Sequence, residues 1–451
     1  MTDLLELAQA IVARATGSEQ IEVFVASSTE VDVEAYQGAI ESLTTASSDG
    51  VGIRVLRDGV GGAQVGSAWA GSLDEAAIAD ALREARDNVQ FATEDEFLAF
   101  ARPDGIAPVS LALVSDDIER VSLDEKIAMA IALEQAVRNG DPRIRQVDSA
   151  AYSDYRSASA IASTSGIAAR YARTGAYLSV SPIASDGKDD QSGWGLSAGR
   201  GPRDISIEQA AEDAIRRATR MLGATKPKSQ KTVAVFDPRT AASLMSIIGG
   251  SLSGEAVVRG RSFFAGRLGE VVASSDITLV DDPTDARHFN ASVFDGEGLA
   301  CRRNTLIAEG VLQSFVYDTV SARRAGTVST GSALRGGIGG SPSAGCRALQ
   351  LDPGTKDQEE IFRAIGNGVF VESLSGIHSG VNPISGDFSV GITGLVIRDG
   401  QLAEPIREAT VASTLQRMLQ DVILVGNDQE WLPGSAAGQT IAIDGISVSG
   451  S

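Results

Sequence analysis

Residues 224–236 read ATKPKSQKTVAVF. Six polar or proline positions, Thr225 to Gln230, give way at once to Val233, Ala234, Val235 and Phe236. A segment with two lysines and a proline buries little and breaks any helix that reaches it, whereas the run after it has the β-branched and aromatic content of a strand. The stretch therefore separates two folding units, one over residues 1–224 and one over residues 231–451. A chain of 451 residues is long enough to hold more than one core.

Working back from the linker, three sites have the spacing of a helix capping box: Ser72 with Glu75, Ser122 with Glu125, and Ser206 with Gln209. Each opens an alanine-rich run, ending near Val89, Gly140 and Gly223. Residues 21–25, 51–56 and 176–180 read as strands, and Asp58-Gly59 signals a hairpin. The first unit is predicted to combine helices with an antiparallel sheet. Working forward, Asp237 as cap and Pro238 at the first helical position start one helix. Strands and glycine-rich turns follow, at Glu309-Gly310, Asp399-Gly400 and Asp444-Gly445, with short helices over 357–365 and 409–419. The fold class is α+β, the second unit being the richer in strand.

Formal net charge is −20, from 59 acids against 39 bases, and the bases occur in ones and twos. Such a field repels phosphate, so nucleic acid is excluded as a partner. No stretch reaches the roughly 20 apolar residues of a membrane span. The first residues, MTDLLELAQA, place acids where a targeting peptide carries bases, and a cytoplasmic protein is expected. Two cysteines, Cys301 and Cys346, make no disulfide framework.

Few residues offer chemistry. A zinc site from His288, His378, Cys301 and Cys346 lacks any ligand spacing. Ser197 sits in Gly-Leu-Ser-Ala-Gly, but residues 200–204 intervene before the next helix, so the strand–nucleophile–helix elbow is not formed. The glycine-rich run over 331–345 lacks the lysine of a phosphate loop and reads as a flexible loop lining a groove. Residues 253–261, SGEAVVRGR, read as the tail of a helix, with Glu255 four residues before Arg259. That spacing suits an ion pair worth about 0.3–0.5 kcal/mol if exposed.

Read together, SGEAVVRGRSFFAGRLGE, FDGEGLACRRNTLIAEGVLQSFVYDTVSARRAGTVSTGSA, GIHSGVNPISGDFSVGITGLVIRDG and ILVGND, with SSDGVGIRVLRDGVGG in the first half, resemble the TldD/TldE (PmbA) family of peptidases. In its TldD branch a helix carries His-Glu-x-x-x-His, and a cysteine near the carboxyl end completes a zinc site. The resemblance carries those positions onto Gly254, Glu255, Arg259 and Ala437, so only the glutamate remains. Glycine and alanine have no donor, and a guanidinium keeps its proton. The resemblance thus implies the TldE/PmbA branch: no metal in this chain, zinc in a TldD-like partner, and extended or unfolded peptides as substrate. It implies a heterodimer with that partner, or a homodimer when the chain is isolated. Two other readings are a self-sufficient hydrolase using Glu255 or Ser197, and a regulator acting indirectly on DNA gyrase, as the family's historical label suggests.

Overall fold

The computed structural model describes residues 3–450. Met1, Thr2 and Ser451, the outermost positions of the two expected units, lie outside the described residues. The first half runs α1 (Leu4–Val12), β1 (Gln20–Tyr36), β2 (Ala39–Asp58), β3 (Ala63–Ala70), α2 (Glu75–Asn88), α3 (Asp117–Arg120), α4 (Leu123–Gly140), β4 (Ile144–Ser163), β5 (Ala168–Ser185), β6 (Asp190–Ser192), β7 (Gly195–Gly199) and α5 (Ile207–Thr219). Its strands form one antiparallel sheet in the order β3-β2-β1-β4-β5-β6, with β7 also on β5.

Alternation along β1 decides which face meets what. Ile21, Val23, Val25 and Val33 point to the side covered by helices, in clusters with Ile78 and Leu82 of α2 and Leu133 of α4. Phe24 points the other way and packs with Leu299 of the second half. The hairpin expected at Asp58-Gly59 is present, with Asp58 opposite Ala63. Of the three expected capping boxes, the one at Ser122 is complete. At Ser206 only the serine half is made. At Ser72 the expectation fails: the cap is Asp74, and the Ser72 hydroxyl donates to the Asp74 carboxylate at 2.8 Å instead.

The second half runs β8 (Gln230–Phe236), α6 (Pro238–Ser251), α7 (Gly254–Val258), β9 (Leu279–Asp281), β10 (Asn304–Ala308), β11 (Val311–Leu312), α8 (Thr319–Ala325), β12 (Ala333–Arg335), β13 (Pro342–Ala344), β14 (Leu349–Leu351), α9 (Gln358–Ile365), β15 (Gly368–Ser375), α10 (Ile377–Gly380), β16 (Asp387–Arg398), β17 (Gln401–Thr414), α11 (Leu415–Gln420), β18 (Val422–Val425) and β19 (Ile441–Ser449). The architecture is α+β. In the main sheet of this half the order is β17-β16-β15-β8-β19-β18, and β17 also pairs with β19, so five strands close on themselves. Closure leaves alternate residues inside: Ala234 and Phe236 join the large core with Leu244 and Ile248 of α6, while Val235 faces out under Phe362 of α9.

Three expectations change here. Residues 409–414 continue β17, and the helix is confined to α11. Asp444-Gly445 is no hairpin turn but an irregularity within β19, where pairing to β8 shifts between Ile443 and Ile446. The glycine-rich run forms the β12–β13 hairpin, whose tip lies on the first-half sheet: a Cβ at Gly52 would overlap the Ile338 carbonyl. The close approach is permitted by Gly52 of β2, and within the run Gly339 lies against the Trp69 ring of β3. Among the described residues no helix is long and apolar enough to cross a membrane.

Candidate functional site

α7 is a separate five-residue helix, not the tail of α6, which stops at Ser251. Gly254 is buried, and a Cβ there would stand inside the Tyr317 ring. No larger side chain fits unless that ring moves. Glu255 and Arg259 do pair, Oε1 to Nε at 3.1 Å, with side chains 41% and 46% exposed, so the pair contributes only tenths of a kcal/mol. Ala437 lies elsewhere. Its N–H donates to Leu349 at 2.8 Å, and the next residue, Gly438, packs on Pro238, at the opposite end of α6 from Gly254. Gly254 and Glu255 on α7 and Arg259 at its C-terminal cap therefore stand together, apart from Ala437.

Residues 429–438 instead run beside α6. The Ser435 hydroxyl donates to Ser246 at 3.0 Å, and Glu430 and Gly438 exchange backbone hydrogen bonds of 2.7 and 2.9 Å, which fixes the segment as a tight loop. Together with α5 and β7 of the first half it encloses a cleft. One chamber, about 690 Å³, is polar, with Gln209, Glu212, Asp213 and Arg216 from α5 facing Glu430 and Trp431. The other, about 480 Å³, is apolar, with Trp194, Ile247, Ile377 and Ala436 beside the hydroxyls of Ser243, Ser246 and Ser435. Leu196, Arg239, Leu432 and Pro433 line both. A concave, mostly apolar site with a few placed polar groups is the usual form of a ligand pocket.

Charges under the cleft are tightly paired. Burial works to raise the Asp213 carboxyl, but Arg217, Arg239 and Arg216 outweigh it and hold it below the usual range. Arg217 also reaches Asp237 at 3.1 Å and Glu372 at 3.3 Å, and Arg220 adds a 2.7 Å bond to Glu372. Arg239 lies over the Trp194 ring, 5.0 Å from its centre. Glu430 is different. Its surface is open to the chamber, yet the protein around it is dense enough that desolvation, helped by Asp237, pushes its carboxyl up.

The remaining sequence candidates are not gathered into a site. Ser197 lines the polar chamber, but its hydroxyl donates to Gln209 at 3.2 Å and accepts from the Ser206 N–H at 2.9 Å, and no base adjoins it. His288 is fully buried, edge-on to Trp431 at 4.8 Å, and burial pushes it down to about 4. The Leu349 backbone lies close enough to favour its charged form, but neither ring nitrogen has a hydrogen bond of good geometry. His378 is exposed on α10. Both cysteines are buried thiols; burial pushes Cys301 up to about 12 and Cys346 up likewise. Among the described residues no three His, Cys, Asp or Glu side chains are placed to hold a metal ion. Where α6 meets residues 434–436 the side chains are serine hydroxyls and an alanine, which do not fit zinc.

Sequence reasoning missed the cleft. Two of the three tryptophans, Trp194 and Trp431, line it, and that clustering is visible only in space.

Three successive segments match models of one family: PmbA/TldA metallopeptidase domain 1 over residues 21–89, its central domain over 116–222 and its C-terminal domain over 229–450. The metalloprotease PmbA of Escherichia coli is 28% identical, over 92% of this chain and 88% of its own length. A metalloprotease of Methanothermobacter thermautotrophicus is 30% identical, over 61% of this chain and 62% of its own. Among solved structures, a candidate modulator of DNA gyrase from Bacteroides thetaiotaomicron superposes with a TM-score of 0.88 at 25% identity, covering 99% of this chain and 98% of that one. TldE from Thermococcus kodakarensis shares the fold, with a TM-score of 0.88 at 22% identity and 99% of both chains covered.

Proposed function

The chain belongs to the PmbA/TldD metallopeptidase family, and we propose that within it this chain is the non-metal, TldE-like subunit of a cytoplasmic complex that hydrolyses extended or unfolded peptides. One observation carries the reading. A ligand cleft is built between the halves, yet hydroxyls and apolar groups stand where α6 faces residues 434–436, and Tyr317 fills the space beside Gly254. Binding architecture without donors or an activated nucleophile suits a subunit that shapes and presents rather than cleaves. Zinc is then supplied by a TldD-like paralogue carrying His-Glu-x-x-x-His. A formal charge of −20 supports an indirect route for any effect on gyrase, through a peptide rather than through DNA.

Co-expression with such a paralogue, size-exclusion chromatography and a peptide assay test this. A stable complex is expected, with an obligate interface burying more than about 2,000 Å². Hydrolysis should need both chains, stop with chelator and survive Glu255→Gln in this chain. Chelator-resistant cleavage by the isolated chain, lost in Ser197→Ala or Glu255→Gln, would overturn the proposal, as would a paralogue fully active alone.

A further inference from the structure

We propose that the two-chambered cleft binds the amino-terminal residue of a peptide whose first side chain is apolar, the ammonium entering the polar chamber and the side chain the apolar one. The word peptide rests on the subunit reading above; the cationic and apolar requirements rest on the cleft itself.

Charge balance supplies the first argument. Every guanidinium beneath the cleft is already engaged: Arg216 and Arg239 on Asp213, Arg217 on Asp213, Asp237 and Glu372, and Arg220 on Glu372. Two further carboxylates, Glu212 and Glu430, line the polar chamber, and among the described residues neither side chain has a hydrogen bond or ion pair. Four guanidiniums thus face five carboxylates, an excess of one negative charge in a recess between the halves. A single cation restores balance, and a primary ammonium donates three hydrogen bonds to whatever oxygens it meets. A metal ion does not suit the same place, because no third ligand accompanies the two glutamates.

Shape supplies the second argument. The apolar chamber adjoins directly, sharing Leu196, Arg239, Leu432 and Pro433, and Trp194 and Ile247 complete its walls. In an amino-terminal residue the ammonium and the side chain diverge from one Cα, so both chambers fill at once. A lysine side chain carries its charge at the end of an unbranched stem and fills them in turn.

Trp194 and Trp431 lie on the cleft, while Trp69 lies on β3 against Gly339 of the β12–β13 hairpin. Fluorescence of a Trp69→Phe variant therefore reports on the cleft. Titrated with leucyl-glycyl-glycinamide it should change saturably, and the N-acetylated tripeptide should bind at least about tenfold more weakly, the loss of one charge-assisted contact. Nα-acetyl-lysinamide should also bind more weakly than the free tripeptide. Glu430→Gln should cost the free-amine probe about tenfold and leave the acetylated one unaffected. Glu41→Gln, an exposed carboxylate near the tip of β2, should change nothing, which separates a local contact from the field of the whole chain. Equal binding of the free and acetylated tripeptides, an unaffected Glu430→Gln variant, no saturable signal, or tighter binding of the lysine probe would each overturn the proposal. Binding is read on the chain alone and without hydrolysis, so this result and the fate of the subunit reading are independent.

Discussion

Asp281, wholly buried, sets one carboxylate oxygen against the N–H groups of Arg347 at 2.8 Å and Ala348 at 2.7 Å, while its second oxygen has no protein partner. Burial outweighs those two hydrogen bonds and the nearby Arg347 charge, and pushes the carboxyl up to about 6. Its folded value lies above its unfolded one, so its contribution to stability is full below about pH 4 and is lost as pH rises through about 6. Asp281→Asn keeps an oxygen for both N–H groups and removes the titration. The variant should gain stability over the parent between about pH 4 and 7, by on the order of 3 kcal/mol at the upper end. Chemical denaturation at several pH values checks it; parallel pH profiles for the two proteins would contradict it. Glu297, raised to about 8 first by burial and then by Asp295 and Asp318, adds a slope of the same sign at higher pH.

At the scale of elements, two glycines meet opposite fates. Gly445, within the irregular part of β19, has φ +68°, and a side chain there is strained whatever the space. Gly250 lies inside α6 at ordinary φ, with nothing within 4 Å of a would-be Cβ. Gly445→Ala should lose about 1–2 kcal/mol, whereas Gly250→Ala should gain about 0.5–1 kcal/mol. Urea unfolding decides it, and the same sign for both would show that the β19 irregularity does not depend on its glycine. The same contrast governs the helix starts. Ser122 and Glu125 complete a box because a helix begins between them, whereas Ser72 lies two residues too early and turns its hydroxyl to Asp74.

Across the whole molecule, the two halves are joined by ion pairs at several points. Arg335 and Arg54 share Glu22, Arg302 meets Asp104, Arg324 meets Asp95, Arg407 meets Asp189, and Arg217 and Arg220 meet Glu372. Most are partly screened and individually weak, but Glu22 and Glu372 are buried with their arginines. Glu372→Gln leaves Arg220 without its counter-charge in a desolvated place, while Arg217 keeps Asp213 and Asp237. It should cost about 3–5 kcal/mol and speed limited proteolysis in residues 225–229. Unchanged cleavage and an unchanged unfolding midpoint would show that the halves are held by other contacts.

Local chemistry made much of this chain legible. The Ser122 box, the Asp237-Pro238 helix start and the Asp58, Glu309 and Asp399 turns are each set by residues a few positions apart, and each stands in the structure as expected. The family too was legible, because its motifs are contiguous. What neighbouring residues could not settle was the partner of each segment. Placing Gly254, Arg259 and Ala437 in one constellation took the carboxyl-terminal segment to face α7; it faces α6, because Leu349 and Pro238 fix it there. Closure of the second sheet needed β17 to find β19, and the cleft needed α5 to face residues 429–433 across more than two hundred positions. Such contacts follow from burial of whole faces against one another, a property of the assembled chain that no short stretch contains.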